Sequence, residues 1–203
     1  MARKRPKGLK LRKEILIYSE GVTEKNYFNR LNQNYNANHI KVKTIDIGLQ
    51  SKVLVEKVLR RIEKNQDAKQ SEVDKVFIIF DRDDESWDLV EQAISIARKS
   101  NLGKKNKLFI GFSNEAFEVW LLSHFEKINQ PLSREQLNQR LSNYLGVPDY
   151  SGLKARSDLP IQFMELVKQA KHNTSGVENL PTASMIQNPY TNIGHIVSEI
   201  HGI

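Results

Sequence analysis

Residues 76–84 have the sequence VFIIFDRDD, an apolar run that leads directly into three acidic residues. Five consecutive apolar residues bounded by charge, Val76 to Phe80, are typical of a strand buried within a sheet. Strands of this kind belong mostly to parallel sheets whose two faces are covered by helices. The acidic residues would then stand where the chain leaves the carboxyl end of the strand.

On both sides of this strand, short apolar runs alternate with helical patterns. The alternation predicts β-α-β units and a mostly parallel sheet of the Rossmann type, and right-handed crossovers would place helices on both faces. The predicted strands are residues 15–18, 40–47, 76–80 and 108–112, and the predicted helices are residues 23–35, 51–62 and 87–100.

The second half of the chain has a different pattern, which predicts mainly helices. They are expected at residues 116–125, 133–144, 159–171 and 191–200. Ser133 and Gln136 have the spacing of a capping box at the start of one of them. We therefore divide the chain into a basic arm (residues 1–13), an α/β core (14–125) and a helical extension packed on the core (126–203).

Composition narrows the class of protein. The 203 residues suffice for one domain with an extension, and the absence of cysteine excludes disulfides and thiolate metal sites. No apolar run approaches the ~18 residues of a membrane span, and the basic N-terminus lacks the apolar segment of a signal peptide. We expect a cytoplasmic protein that does not enter a membrane.

Positive charge is concentrated at the N-terminus. Residues 1–13 carry seven basic residues and no acid, which equals the net charge of +7, so the rest of the chain is neutral. A basic arm on a neutral body is suited to binding nucleic-acid phosphates. The alternative interpretation is a solvated tail that aids solubility. Lys154, in a predicted loop, is a further candidate, with an exposed loop lysine as the alternative. The predicted nucleic-acid-binding residues are Arg3, Lys4, Arg5, Lys7, Lys10, Arg12, Lys13 and Lys154.

Two acidic clusters follow predicted strands. SEGVTE (19–24) comes after the first strand and DRDDE (81–85) after the third, so both fall at the sheet edge where open α/β folds bind ligands. Converging carboxylates raise one another's pKa, and a divalent cation that prefers oxygen ligands relieves the repulsion. We therefore predict a Mg²⁺ or Mn²⁺ site. Taken alone, either cluster could simply cap a helix, and Asp84 could do only that. Asp81 and Asp83, two positions apart, can both reach one ion, and Glu20 of the other cluster is a further candidate metal ligand, with Asp84 as an extra ligand if a second ion binds.

A third segment, after the fourth strand, reaches the same sheet edge. Ser113, Asn114 and Glu118 are accessory candidates there, although Ser113 or Asn114 could instead cap the next helix. His124 is predicted to be a packed histidine rather than a base. The chain lacks the sequence motifs of P-loop ATPases, dinucleotide-binding folds, serine hydrolases and zinc proteases.

Four segments together resemble the RloB family. They are EGVTEKNYF (20–28), FDRDD (80–84), SNEAFEVWLLSHF (113–125) and NPYTNI (188–193), in the family's order and over nearly the whole chain. This family is similar to Toprim domains, the fold of topoisomerases, primases and overcoming-lysogenization-defect nucleases. The resemblance implies a glutamate after the first strand and a D-x-D after the third, here Glu20, Asp81 and Asp83. Glu24 corresponds to the second glutamate of the nuclease-like variant. The resemblance also implies a role in phage defence by abortive infection, with an AAA-type ATPase encoded nearby as partner.

The leading hypothesis is a Mg²⁺- or Mn²⁺-dependent nuclease. Its catalytic residues would be Glu20, Glu24, Asp81 and Asp83, with Glu20 sharing the metal or acting as general base. The alternatives are a non-catalytic or partner-activated nucleic-acid-binding subunit of an ATPase defence complex, and a nucleotidyl transferase. The choice between DNA and RNA, the number of metal ions and the oligomeric state, a homo-oligomer included, stay open.

Overall fold

Five strands form one sheet in the order β2-β1-β3-β4-β5. The structure, a computed structural model, describes residues 13–35, 40–154, 161–174, 176, 178–181 and 183–203. The first four strands are parallel, and the short fifth strand is antiparallel to β4. The predicted α/β class with a mostly parallel sheet is therefore confirmed. The strands are β1 Lys13–Ser19, β2 Ile40–Asp46, β3 Val73–Asp81, β4 Leu108–Asn114 and β5 Tyr190–Thr191.

Helices flank the sheet and supply its connections. Their inward faces follow the spacing of apolar residues: α2, for example, buries Leu54, Val55, Val58 and Ile62 on one side. Short 3₁₀ turns lie at Tyr150–Leu153 and Ala183–Ile186. The helices are α1 Val22–Asn34, α2 Ser51–Glu63, α3 Trp87–Lys99, α4 Asn101–Lys104, α5 Glu118–Leu122, α6 Arg134–Leu145, α7 Gln162–Glu165, α8 Val167–Asn173 and α9 Ile193–His201.

The central strand β3 explains the two-sided core. Its side chains alternate between faces, so Phe77 and Ile79 pack in one cluster while Ile78 and Phe80 pack in the other. Helices α2 and α3 cover the second cluster. The first cluster is covered by α1 and by helices of the C-terminal part, including α5, α8 and α9.

The helices that follow β1 and β3 lie on opposite faces of the sheet. The chain leaves β1 toward β2 through α1 on one face, and leaves β3 toward β4 through α3 on the other face. Adjacent parallel strands whose connections diverge in this way leave a crevice beyond their carboxyl ends, where α/β proteins bind ligands. The acidic clusters of residues 19–24 and 81–85 both border that crevice.

The C-terminal half differs in detail from the sequence-based expectation. The helix expected at 116–125 is shortened to α5, and the one expected at 159–171 is divided at Leu166 into α7 and α8, with residues 155–160 outside the described part. Thr191, expected to open the last helix, instead pairs with Ser113 in β5, where Tyr190 pairs with Asn114. A strand of two residues is too short to show an alternation of apolar and polar residues in the sequence. It is therefore identified only by its pairing with β4.

Two further observations bear on the ends of the chain and on membranes. The basic residues of the arm from Arg3 to Arg12 lie outside the described residues, and Lys13 begins β1. Within the described ranges, the helices are too short or too polar to cross a bilayer.

Candidate metal centre

Glu20, Asp81 and Asp83 meet at the crevice between β1 and β3. Each offers a carboxylate oxygen, and these three oxygens lie within 4.8 Å of one another. Glu20 is held in register beyond the end of β1, because its backbone N–H donates to the Ile79 carbonyl at 3.0 Å. Asp81 is the last residue of β3. The three side chains come together because the strands that carry them are neighbours in the sheet.

The turn after β3 aims Asp83 back at the same point. Asp83 has a φ of 47°, a left-handed conformation that aspartate tolerates better than most residues. The turn is pinned to the end of β4, since the backbone N–H groups of Arg82 and Asp83 donate to the carbonyls of Ser113 and Glu115 at 3.0 and 3.1 Å. The guanidinium of Arg82 also stacks 4.8 Å above the Trp87 ring. The D-x-D segment is thus a braced turn.

Burial leaves these carboxylates short of partners. Asp81 is 9% exposed, and although its Oδ2 accepts a hydrogen bond from the Phe117 N–H at 3.1 Å, its Oδ1 has no hydrogen-bond partner among the described residues. Within the same part of the chain, Glu20 and Glu24 each keep one buried oxygen without a partner as well. Unpaired buried carboxylate oxygens are costly, and a cation is the group that would satisfy them.

The pKa values reflect the same electrostatic cost. Burial, followed by repulsion from Glu24 and Glu85, raises the pKa of Glu20 to about 7. Burial also raises the pKa of Glu24 to about 7, and Glu118 adds to the effect. For Asp81, burial and then the charges of the neighbouring glutamates raise the pKa well above its ordinary value. A divalent cation would remove most of this repulsion, so the residues fit a Mg²⁺ or Mn²⁺ ion.

Two further buried carboxylates, those of Glu24 and Glu118, lie close enough to Asp81 to raise its pKa. Glu24 lies in the first turn of α1 and Glu118 begins α5, and both are buried. Lys154 Nζ lies 2.9 Å from Glu118 Oε1, and the Lys154 carbonyl accepts a hydrogen bond from the Thr23 hydroxyl at 3.2 Å. Lys154 therefore enters the acidic centre itself.

The absence of a side chain at Gly21 leaves room for the carboxylate of Glu24. A Cβ at this position would lie 3.0 Å from Glu24 Oε2, closer than side chains normally approach. The carboxylate of Glu24 thus occupies space that any larger residue at position 21 would claim.

Other predicted site residues lie elsewhere. Asp84 is exposed and stands apart from the three converging carboxylates, whereas its neighbour Glu85 has a buried oxygen and acts on Glu20. The Ser113 hydroxyl bonds the Thr191 hydroxyl at 2.9 Å. The Asn114 amide donates to the carbonyls of Met185, Ile186 and Gln187 at 3.1, 3.2 and 2.8 Å.

His124 is packed, in keeping with its predicted structural role. Its Nε2 lies 3.2 Å from the Tyr27 hydroxyl and its Nδ1 3.0 Å from the Trp120 carbonyl. Burial lowers its pKa to about 4, so the ring is neutral at physiological pH.

Arg134 is a site residue that the sequence did not reveal. It begins α6, where the sequence pattern indicated only a capping box, yet its guanidinium forms an ion pair with Asp83. Fifty-one positions separate the two residues, and no local pattern connects them. Glu85 was visible in the acidic run but had no assigned role.

An open groove runs from this centre along the loops that follow β1, β2 and β3. It offers room for a ligand much larger than an ion beside the carboxylates. Its lining consists of Glu20, Gly21, Gly48, Leu49, Gln50, Val53 and Glu85.

The basic arm joins the sheet far from the carboxylates. Lys13 starts β1 and Ser19 ends it. At about 3.3 Å per residue, the arm is attached roughly 20 Å from the acidic edge. The attachment point of the arm thus lies at the opposite end of β1 from the acidic centre.

Comparison with known proteins supports the sequence resemblance. The family model described as RloB-like protein matches residues 15–200 of the chain. A search of curated proteins finds no match.

Proposed function

The chain belongs to the RloB-like family, and on that premise, together with the carboxylate centre, we propose that it is a Mg²⁺- or Mn²⁺-dependent nuclease. Phosphodiester hydrolysis is the reaction for which such a centre is suited, because protein carboxylates and substrate phosphates can share the same ion. The observation that carries the proposal is the convergence of Glu20, Asp81 and Asp83 within 4.8 Å.

The roles of the carboxylates follow from their burial and charge. Asp81 and Asp83, at the end of β3, would hold the metal, and Glu20 would share it from β1. When bound, the cation supplies a water of lowered pKa and stabilises the charge on the phosphate. Glu20 would share the ion or, as a general base, accept a proton from the attacking water. Glu24, buried behind it, would keep the centre acidic enough to retain the ion.

The substrate we propose is a nucleic acid. Lys154, which lies 2.9 Å from Glu118, would contact a phosphate beside the carboxylates, and the groove along Gly48 and Gln50 would accept an extended strand. The basic arm would add contacts with phosphates farther along the polymer, a role that rests on its charge alone. We further propose that the protein acts in the cytoplasm in phage defence with an AAA-type ATPase, as the resemblance to RloB proteins implies.

Manganese calorimetry tests the centre without knowledge of the substrate. Wild type is compared with the double variant Asp81→Asn/Asp83→Asn, and Asp84→Asn serves as matched control because Asp84 is acidic, adjacent and exposed. We expect saturable Mn²⁺ binding by wild type and by the control, and none by the double variant. Equal binding by all three proteins would refute the metal centre.

A cleavage screen then tests the reaction. Single- and double-stranded DNA and RNA are incubated with the protein and Mn²⁺ or Mg²⁺, with EDTA and the double variant as controls. We expect metal-dependent shortening of at least one polymer. Extension of a polymer on addition of nucleoside triphosphates would instead identify a nucleotidyl transferase.

A further inference from the structure

Arg134 is the first residue of α6, and the capped N-terminus of this helix places it at the acidic centre. Ser133 caps α6: its hydroxyl accepts a hydrogen bond from the Gln136 N–H at 3.3 Å, and the Gln136 side chain accepts one from the Ser133 N–H at 2.9 Å. Leu137 and Leu141, one and two turns on, are fully buried in the core. The backbone of Arg134 is therefore held between the helix cap and a turn that is buried in the core.

The guanidinium of Arg134 is only partly used. It pairs with Asp83, one of the three converging carboxylates. Its Nε is nevertheless buried without a hydrogen-bond partner in the described part of the chain, while the side chain as a whole is 36% exposed. A guanidinium carries five donors in a planar fork, so donors remain for a second ligand in the same plane. A buried donor without a partner is a cost that such a ligand would remove.

The charge around Arg134 indicates what this ligand is. Six carboxylates border the centre, namely those of Glu20, Glu24, Asp81, Asp83, Glu85 and Glu118. An anionic substrate would be repelled by them unless cations stand beside the point where it binds. Among the described residues, Arg134 at Asp83 and Lys154 at Glu118 are the cations ion-paired with this group.

The two cations differ in chemistry. Lys154 is a point charge, whereas the fork of an arginine matches two oxygens of one phosphate. Arg134 also pairs with a carboxylate that would bind the metal, so metal and guanidinium would compete for the carboxylate of Asp83. Binding of the metal ion to Asp83 would weaken the ion pair between Arg134 and Asp83, and the guanidinium could then bind another ligand.

We propose that Arg134 is a phosphate-binding residue of this centre, and that it exchanges its ion pair with Asp83 for the phosphate of a nucleotide ligand once the metal has bound. The proposal rests on the metal centre of the proposed function, and it names a residue that receives the phosphate there. Until the ion binds, the same side chain would balance the charge of Asp83.

Binding measurements with a mononucleotide test the proposal without any cleavage. Mn²⁺, and then thymidine 5′-monophosphate in the presence of Mn²⁺, is titrated calorimetrically into wild type, Arg134→Gln and Arg134→Lys. Arg140→Gln is the matched control, because Arg140 lies on the same helix but pairs with Glu126 at 2.7 Å, away from the centre. Thermal unfolding of each variant verifies that it is folded.

We expect Arg134→Gln to bind Mn²⁺ at least as tightly as wild type, since a competing cation has been removed from Asp83. Its affinity for the mononucleotide should fall about ten- to a hundredfold, the usual effect of losing a hydrogen bond to a charged group. Arg134→Lys should lie between the two because it keeps the charge and loses the fork. Arg140→Gln should match wild type in both titrations.

Two results would overturn the inference. One is wild-type affinity of Arg134→Gln for the mononucleotide. The other is loss of Mn²⁺ binding in Arg134→Gln, which would make Arg134 a residue that merely orients Asp83. A wild type that binds Mn²⁺ and the mononucleotide through Arg134 but cleaves no polymer would support the inference and count against the proposed nuclease.

Discussion

At the scale of single residues, the centre is defined by carboxylates whose charged forms are disfavoured by burial and by one another. Glu20 and Glu24 both have a pKa of about 7, with burial as the main cause. The histidines have the opposite shift: burial lowers the pKa of the fully buried His124 and of the partly buried His201 to about 4. The pH dependence of overall stability therefore mixes two opposed contributions, and Glu20 has to be isolated by a difference between variants.

We predict that Glu20→Gln is stabilising in EDTA and that its advantage grows as the pH rises. Below the unfolded value of about 4.5 the Glu20 carboxyl is protonated in both states. Between 4.5 and about 7 the unfolded chain releases the proton while the folded chain retains it, so wild type loses stability relative to the glutamine variant. Above pH 7 the difference levels off at several degrees in the melting temperature, about 2–4 °C for each kcal/mol.

Melting curves of the two proteins in EDTA from pH 4.5 to 8 measure this difference. Addition of Mn²⁺ at pH 7.5 should reverse its sign, because the ion stabilises wild type and finds a weaker site in the variant. A difference that stays constant across the pH range would show that Glu20 is ionised throughout.

At the scale of elements, the turns at the carboxyl ends of β3 and β4 depend on the C-terminal segment. The Asn114 amide donates to three successive carbonyls, those of residues 185, 186 and 187. The Ser113 carbonyl in turn accepts a hydrogen bond from the Arg82 N–H of the D-x-D turn. The end of β4 thus connects the acidic turn to the segment that precedes β5.

We predict that Asn114→Ala lowers stability by about 1–3 kcal/mol, since buried carbonyls lose their donor. Mn²⁺ affinity should change less than about threefold, which corresponds to about 0.6 kcal/mol of binding free energy. The reason is that the Asn114 side chain donates hydrogen bonds to carbonyls and not to the acidic centre. Urea denaturation and Mn²⁺ calorimetry measure the two effects, with the exposed Asn101→Ala as control. Loss of Mn²⁺ binding with unchanged stability would instead assign Asn114 to the metal centre.

At the scale of the whole molecule, the C-terminal helices and the sheet share one core. Ile193 and Ile196 of α9 are fully buried in the cluster that contains Ile17 and Ile79 of the sheet. Gly111 of β4 permits this contact: a Cβ there would lie 2.5 Å from Ile79 Cδ1 and 2.8 Å from Ile193 Cδ1. The sheet, the centre at its edge and the C-terminal helices therefore belong to one packed unit.

We predict that Gly111→Ala destabilises the protein by about 1–3 kcal/mol, the usual cost of overpacking. Gly152→Ala is the matched control and should be neutral, because no atom of the described residues lies within 4 Å of the place that its Cβ would take. Chemical denaturation midpoints compare the two. Equal midpoints would mean that α9 is not seated against β4 as described.

The sequence alone was sufficient for the class of fold and for the location of the acidic residues. The runs at 15–18 and 76–80 are local signals, and topology rules place their carboxyl ends at one edge, so the residue pattern brought the acidic clusters 19–24 and 81–85 together. The resemblance to the RloB family then selected Glu20, Asp81 and Asp83 from these clusters. The regular spacing of apolar residues likewise predicted α1, α2 and α3, because each helix contacts the sheet along one continuous stripe.

Tertiary structure alone decided which further groups enter the centre. Asp84 and Glu85 are neighbours in one acidic run, and the direction of a braced turn points one outward and the other toward Glu20. Arg134 reaches Asp83 from a helix start 51 positions away. Such encounters depend on how α6 packs against the core, and packing between distant segments leaves no periodic mark in the sequence.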